Sequence, residues 1–200
     1  MIQASIKIYN CNIIKTYGIA EAGPRVSTNI IYKNDPNPDY RSVGKPIENV
    51  SIEIDPGNLQ LSDHNNNTIG KIVIKSPSIS NGYIGESASS IIPKQVLFTN
   101  DIGYIGTNGN LYIEGRNGQN IFEDGKDIWF NEIAEIIYET EHVIKVLVCK
   151  TGDEIIIKYV PFFFENNYEE LFYEILKNKA GLSRDRIRFQ KEKTINSTKW

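Results

Sequence analysis

The stretch Tyr17-Gly18-Ile19-Ala20-Glu21-Ala22-Gly23-Pro24 decides how the chain is read, because Thr99-Asn100-Asp101-Ile102-Gly103-Tyr104 and then Gly115-Arg116 answer it downstream. Around these glycine-rich turns, short alternating apolar segments are divided by Gly, Pro, Asn and Asp clusters, the pattern of antiparallel strands. Val50-Ser51-Ile52-Glu53-Ile54, Gly70-Lys71-Ile72-Val73-Ile74-Lys75 and Asn110-Leu111-Tyr112-Ile113-Glu114 are the clearest. Asp35-Pro36-Asn37-Pro38-Asp39 and Asp63-His64-Asn65-Asn66-Asn67 are expected to be loops, since Pro fixes φ and Asn and Asp tolerate turn conformations; His64 is expected to sit solvated there.

The 200 residues carry a formal net charge of -3, with 40% hydrophobic and 24% charged residues, which is ordinary globular composition. That balance gives no electrostatic case for a polyanionic partner, so nucleic acid is not expected. The N-terminus has no continuous apolar leader and no run approaches bilayer-spanning length, so a soluble cytoplasmic protein without a membrane span is expected. Cys11 and Cys149 lie far apart in apolar stretches and read as buried free thiols.

After Arg116 the pattern changes to mixed helix and strand. The spacing predicts a helix capped by Asn131 with Ile133, Ile136 and Ile137 on its apolar face, then strands at Val146-Leu147-Val148-Cys149 and Glu154-Ile155-Ile156-Ile157-Lys158-Tyr159-Val160 around Gly152-Asp153. Asn167 with Glu170 resembles a capping pair for a helix bearing Leu171, Phe172, Ile175 and Leu176 and stopped by Gly181. Arg186-Ile187-Arg188-Phe189 is expected as the last strand, and Phe162, Phe163 and Phe164 are expected to be core or edge residues more than a docking surface.

Taken in order, these motifs resemble the adenylate-forming superfamily of acyl-CoA synthetases, luciferases and peptide-synthetase adenylation domains. There an aromatic-Gly-x-Thr-Glu turn is followed by Thr-Gly-Asp and then Gly-Arg. Ser42-Val43-Gly44-Lys45-Pro46, Gly70-Lys71-Ile72-Val73-Ile74 and Gly82-Tyr83 fall between them as the family's segments do, and Gly125-Lys126-Asp127-Ile128-Trp129-Phe130-Asn131-Glu132-Ile133-Ala134-Glu135 is similar to the start of its mobile domain. The resemblance implies the C-terminal part of that fold: a β-rich, barrel-like subdomain over residues 1–116, the end of the large AMP-binding domain, followed by a small mobile α+β domain over 117–200. It also implies ATP and AMP as ligands, with Tyr17 and Gly18 against adenine, Glu21 on Mg²⁺, Asp101 on the ribose hydroxyls and Arg116 on ribose or α-phosphate. Glu21 and Arg116 would be catalytic, Ala20 would line the nucleotide, Gln119 would be the hinge of a domain rotation, and Gly125 would border the thiol tunnel.

Several positions depart from the pattern. Ala20 replaces the motif Thr and loses a hydroxyl, Asn100 replaces the middle Gly of the ribose turn, Gln119 replaces the usual hinge Asp, and Phe130 replaces a Pro. The family's Thr-x-x-Gly-Lys segment aligns best with Thr198 as its Thr, which leaves the second domain truncated before the catalytic lysine, with Lys199 as the alternative candidate. No Ser/Thr/Gly-rich phosphate loop and neither larger α/β subdomain is found. The expectation is therefore part of an ATP-dependent carboxylate ligase that forms an acyl-AMP and then a thioester, inactive alone. Its partners would be the N-terminal remainder or a complementary subunit, and CoA or a carrier-protein phosphopantetheine. The alternative is a non-catalytic interaction module derived from the same fold.

Overall fold

The computed structural model describes residues 2–57, 67–82 and 95–195. The expectations for His64, Tyr83, Thr198 and Lys199 lie outside the described residues. The chain forms two compact units, Met1–Glu114 and Gly115–Trp200, so the division falls inside a strand, two residues before the boundary expected from sequence.

The first unit opens with helix α1 (Ile2–Tyr9), where the sequence reading foresaw only strands and turns. Strands β1 (Ile13–Ile19), β2 (Gly23–Ile31) and β3 (Lys45–Pro46) form one antiparallel sheet, and β4 (Ser51–Asp55), β5 (Gly70–Lys75), β6 (Val96–Ile105) and β7 (Leu111–Arg116) form a second, in that order. A bridge between Gly44 and Leu111 stitches the end of the first sheet to β7. Gly44 has φ +81°, and a Cβ there would stand 1.9 Å from the Thr28 carbonyl oxygen, so only glycine lets the strands meet. The alternation of β5 places Ile72 and Ile74 against Tyr17, Val26, Val43, Ile52 and Leu111, one core gathered from both sheets. The loop at Asp35 to Asp39 is shaped by its own carboxylates, which accept from the amides of Asn37, Arg41 and Ser42.

The second unit starts with a hairpin, β8 (Asn120–Glu123) and β9 (Lys126–Trp129), whose two turn residues Asp124 and Gly125 both have positive φ. Strand β9 runs straight into α2 (Phe130–Tyr138), so Trp129, in extended conformation and without a side-chain cap, precedes the helix. Asn131 lies inside the first turn and is not the cap. Ile133, Ile136 and Ile137 are buried at the expected spacing. Strands β10 (Val143–Thr151) and β11 (Glu154–Pro161) pair antiparallel, and β12 (Ile187–Lys191) pairs parallel to β11 after the crossover through α3 (Glu169–Ala180).

In α3 the Asn167 carboxamide accepts from the Glu169 amide, but Tyr168 is the residue at the cap and no reciprocal bond from Glu170 forms part of it. Its buried stripe is Phe172, Leu176 and Ala180, with Leu171 exposed, because positions four apart share a face. Gly181 in the left-handed region ends the helix, its amide returning to the Lys177 carbonyl. Phe162, Phe163 and Phe164 lie beyond the end of β11 and are exposed, against expectation: the period-two burial of Ile155, Ile157, Tyr159 and Pro161 stops there. Cys11 and Cys149 are free, and half-buried rather than buried.

Candidate nucleotide-binding site

The first motif is a strand end that tightens into a turn. β1 and β2 pair in register from Ile13 opposite Ile31 to Tyr17 opposite Ser27, and the register then shifts before Ile19 meets Gly23. The shift brings the backbone at Gly18 so near Pro24 that a Cβ would lie 2.4 Å from the Pro24 carbonyl oxygen. Glycine is therefore required at 18 by close approach of two strands. The turn it leads into is held from outside: the Ser80 amide donates to the Glu21 carbonyl at 2.8 Å, and the Ser78 hydroxyl donates to the Ala22 carbonyl at 2.8 Å. Glu21 is half-buried on this clamped turn and Ala20 is exposed.

The second motif is not a turn, as the sequence suggested, but a bulge inside the ten-residue strand β6. Lys71 opposes Ile102 and Val73 opposes Phe98, so Ile72 alone faces Thr99, Asn100 and Asp101. Extra residues in one strand leave ladder groups to be satisfied by side chains. Thr99 does so here, donating from Oγ1 to the Ile72 carbonyl at 2.8 Å and accepting from the Asp101 amide at 3.1 Å. Asn100 is exposed at the apex, while Thr99 and Asp101 are buried.

The structure brings the two motifs together. Tyr17 Oη donates to Asp101 Oδ2 at 2.7 Å across 84 residues of sequence, and both residues are 8% exposed. The sequence reading put this tyrosine and that aspartate at one nucleotide but not in contact, and the adenine-stacking role expected of Tyr17 did not foresee a buried ring with an engaged hydroxyl. A flanking network was also missed: Tyr112 Oη donates to Asp39 Oδ2 at 2.6 Å, and the Tyr112 ring stacks on Tyr104 with centroids 4.8 Å apart. Burial is the largest single influence on Asp39 and raises it, but the bonds from Tyr112, from the Ser42 and Arg41 amides and from Asn110 together outweigh it and hold Asp39 below the ordinary carboxylate pKa. Burial is the larger cause that raises the phenols of Tyr104 and Tyr112.

Arg116, Gln119 and Gly125 belong to the second unit. Arg116 is the exposed last residue of β7, its carbonyl accepting from the Gln119 amide at 2.8 Å, and the Gln119 carbonyl accepts from the Phe130 amide at 3.0 Å. Gly118 between them has φ +81°, and Gly125 with φ +82° stands in open space at the hairpin tip. Among the described residues no group of three or more His, Cys, Asp or Glu side chains could hold a metal ion. A single carboxylate such as that of Glu21 would fit an ion that takes its remaining oxygens from phosphate and water, as Mg²⁺ does. No helix among the described residues is long and apolar enough to cross a membrane.

The profile of the family described as AMP-binding enzyme matches residues 2–84. A 2-succinylbenzoate–CoA ligase of Oceanobacillus iheyensis is 27% identical over 68% of this chain and 28% of its own length. A long-chain-fatty-acid–CoA ligase of Bacillus subtilis is 29% identical over 74% of this chain and 26% of its own. Among solved structures, the O-succinylbenzoate coenzyme A synthetase of Bacillus subtilis shares the fold with a TM-score of 0.76 in its complex with AMP, at 18% identity over 98% of this chain and 40% of that one. Its complex with ATP and magnesium ion gives 0.74 at 19% identity, over 98% of this chain and 41% of that one. The chain thus spans about a quarter of the length of those curated relatives. The shared motifs, the strand-rich fold with its small α+β unit and the family match over residues 2–84 all relate the chain to the adenylate-forming superfamily of AMP-binding enzymes, of which it carries part of the fold.

Proposed function

We propose that this chain is the C-terminal part of a cytoplasmic, ATP-dependent carboxylate-activating ligase. In that reaction a carboxylate oxygen attacks the α-phosphorus of ATP and pyrophosphate leaves. A thiolate then attacks the acyl carbonyl of the acyl-AMP, AMP leaves, and a thioester remains. The observation that carries the reading is the buried Tyr17–Asp101 hydrogen bond, which makes one locus of two motifs that the sequence keeps far apart. At that locus the Asp101 carboxylate accepts from the ribose hydroxyls, and Glu21 on its clamped turn gives one oxygen to Mg²⁺, which neutralises charge on the phosphates when bound. Arg116 donates to ribose or α-phosphate, Gly18 and Ala20 line the nucleotide, and Gly125 borders the path of the thiol, CoA or a carrier-protein phosphopantetheine. Permissive dihedrals at Gly118 beside Gln119 suit a pivot for rotation of the second unit.

The relatives' greater length supports a division of labour in which a further polypeptide, an N-terminal remainder or a complementary subunit, supplies the triphosphate loop and acyl pocket. The isolated chain then binds AMP but does not exchange labelled pyrophosphate into ATP. Calorimetric titration with AMP tests this: saturable binding that disappears in Asp101→Ala is expected, and robust pyrophosphate exchange by the chain alone refutes the division. One observation favours a second reading, a non-catalytic module of the same descent: Ala20 presents a methyl where a phosphate-bonding hydroxyl is expected. Absence of AMP binding by the wild-type chain selects it.

A further inference from the structure

We propose that Tyr17 is a positioning residue for Asp101, and through it for the ribose of a bound adenosine nucleotide. The inference rests on the reading of Asp101 as ribose acceptor given above, and assigns the tyrosine hydroxyl a task of its own, separate from anything its ring does. The Tyr17 ring packs within the apolar cluster of Val26, Ile72, Ile74 and Leu111, which holds it in place. Its hydroxyl is directed at the carboxylate, 2.7 Å from Asp101 Oδ2.

Asp101 is held at two points that arise from different strands. Its amide donates to Thr99 Oγ1 at 3.1 Å, and that same hydroxyl is anchored on the Ile72 carbonyl at 2.8 Å, which fixes the backbone of the bulge. Its carboxylate takes the bond from Tyr17, which fixes the rotamer. Ribose hydroxyls act as donors to a carboxylate, so recognition improves when the acceptor is already turned toward them and no rotamer freedom is lost on binding. The bond also ties β1, which leads directly into the Glu21 turn, to the β6 bulge. The ribose acceptor and the carboxylate assigned to the ion are thereby referred to one framework. A tyrosine can do this where phenylalanine cannot, although both could stack.

The test compares AMP with 2′,3′-dideoxy-AMP, binding each to the full chain by calorimetry, in the wild type, Tyr17→Phe and Asp101→Asn. Tyr17→Phe is expected to weaken AMP about five- to tenfold, the size of one hydrogen bond, and to leave the dideoxy nucleotide within about twofold. Thr99→Val is expected to follow the same pattern and Thr99→Ser to restore binding. Unchanged AMP affinity in Tyr17→Phe, or equal weakening of both nucleotides, overturns the inference and leaves the ribose role of Asp101 standing. Failure of the wild type to bind AMP overturns the reading of the site and this inference with it. Thermal melting supplies an arm without nucleotide: the effects of Tyr17→Phe and Asp101→Asn are expected to be non-additive, and additivity would show that the contact does not hold the carboxylate.

Discussion

The two units bury different chemistry. Tyrosines apart, every buried polar or charged side chain among the described residues, Ser27, Ser42, Ser76, Thr99 and Asp101, lies in the first unit. The second gathers Ile133, Ile137, Ile155, Ile157, Phe172 and Leu176 from its helices and strands into an apolar core. Polar groups inside a protein destabilise unless each is bonded, so the first unit holds its buried carboxylate by hydrogen bonds, whereas the interior of the second is mainly apolar packing.

The largest effect should follow from emptying the apolar core. Phe172 is fully buried, with its ring meeting Tyr159 edge-on at 5.2 Å and Tyr168 and Phe189 nearby. Phe172→Ala is expected to cost about 3–5 kcal/mol, read by urea denaturation, and a loss below about 1 kcal/mol would mean that the second unit is loosely packed. Next comes a clash in the first unit. Gly44→Ala places a methyl against the Thr28 carbonyl at a positive φ, and should cost about 3 kcal/mol in the same measurement. Smaller again is Thr99→Val, which conserves volume but strands the Ile72 carbonyl and the Asp101 amide: about 1–3 kcal/mol is expected. If Thr99→Val were neutral in melting, the bulge would be held by its backbone, and the contrast between the units would lose its clearest member.

How much of this was legible depended on whether a signal was local. The period-two runs at β5 and β11 and the glycine that ends α3 announced themselves, because a strand's buried face and a left-handed stop are written in neighbouring residues. The β8–β9 hairpin also carried its signal, Asp124-Gly125, but flanking strands of four residues are too short for alternation to register. Asn131 was misleading as a cap because a strand that continues into a helix leaves no room for one: Trp129 is already extended and paired. α1 was hidden because Ile2, Ile6 and Ile8 suit either periodicity over eight residues. The residues of the site could be named from their motifs, but not joined. That Tyr17 bonds Asp101 depends on a bulge in β6 and a register shift in β1, both products of sheet assembly rather than of any short stretch.

The smallest expected effect at neutral pH is also the sharpest probe of the apolar unit. Tyr159 is fully buried on β11, and its hydroxyl meets no partner at hydrogen-bonding geometry, although the Glu169 carboxylate at the head of α3 acts on it. Burial first, then the charge and acceptor oxygens of Glu169, push its pKa up to about 12. A phenol whose folded pKa is raised stays protonated longer in the folded chain than in the unfolded one. The unfolded state therefore binds fewer protons between the ordinary value near ~10 and the folded value, and stability falls as pH rises through that window. Tyr159→Phe removes both the orphan hydroxyl and its titration, so at pH 7 the change should be close to neutral or slightly stabilising. Above the ordinary phenol value the variant should lose less stability than the wild type. Tyr104 and Tyr112, the raised phenols of the first unit, titrate in both proteins, so the difference between the two melting curves isolates Tyr159. A variant clearly less stable at pH 7 would show instead that the hydroxyl is bonded in solution, and the second unit, like the first, would then hold a polar group that its fold depends on.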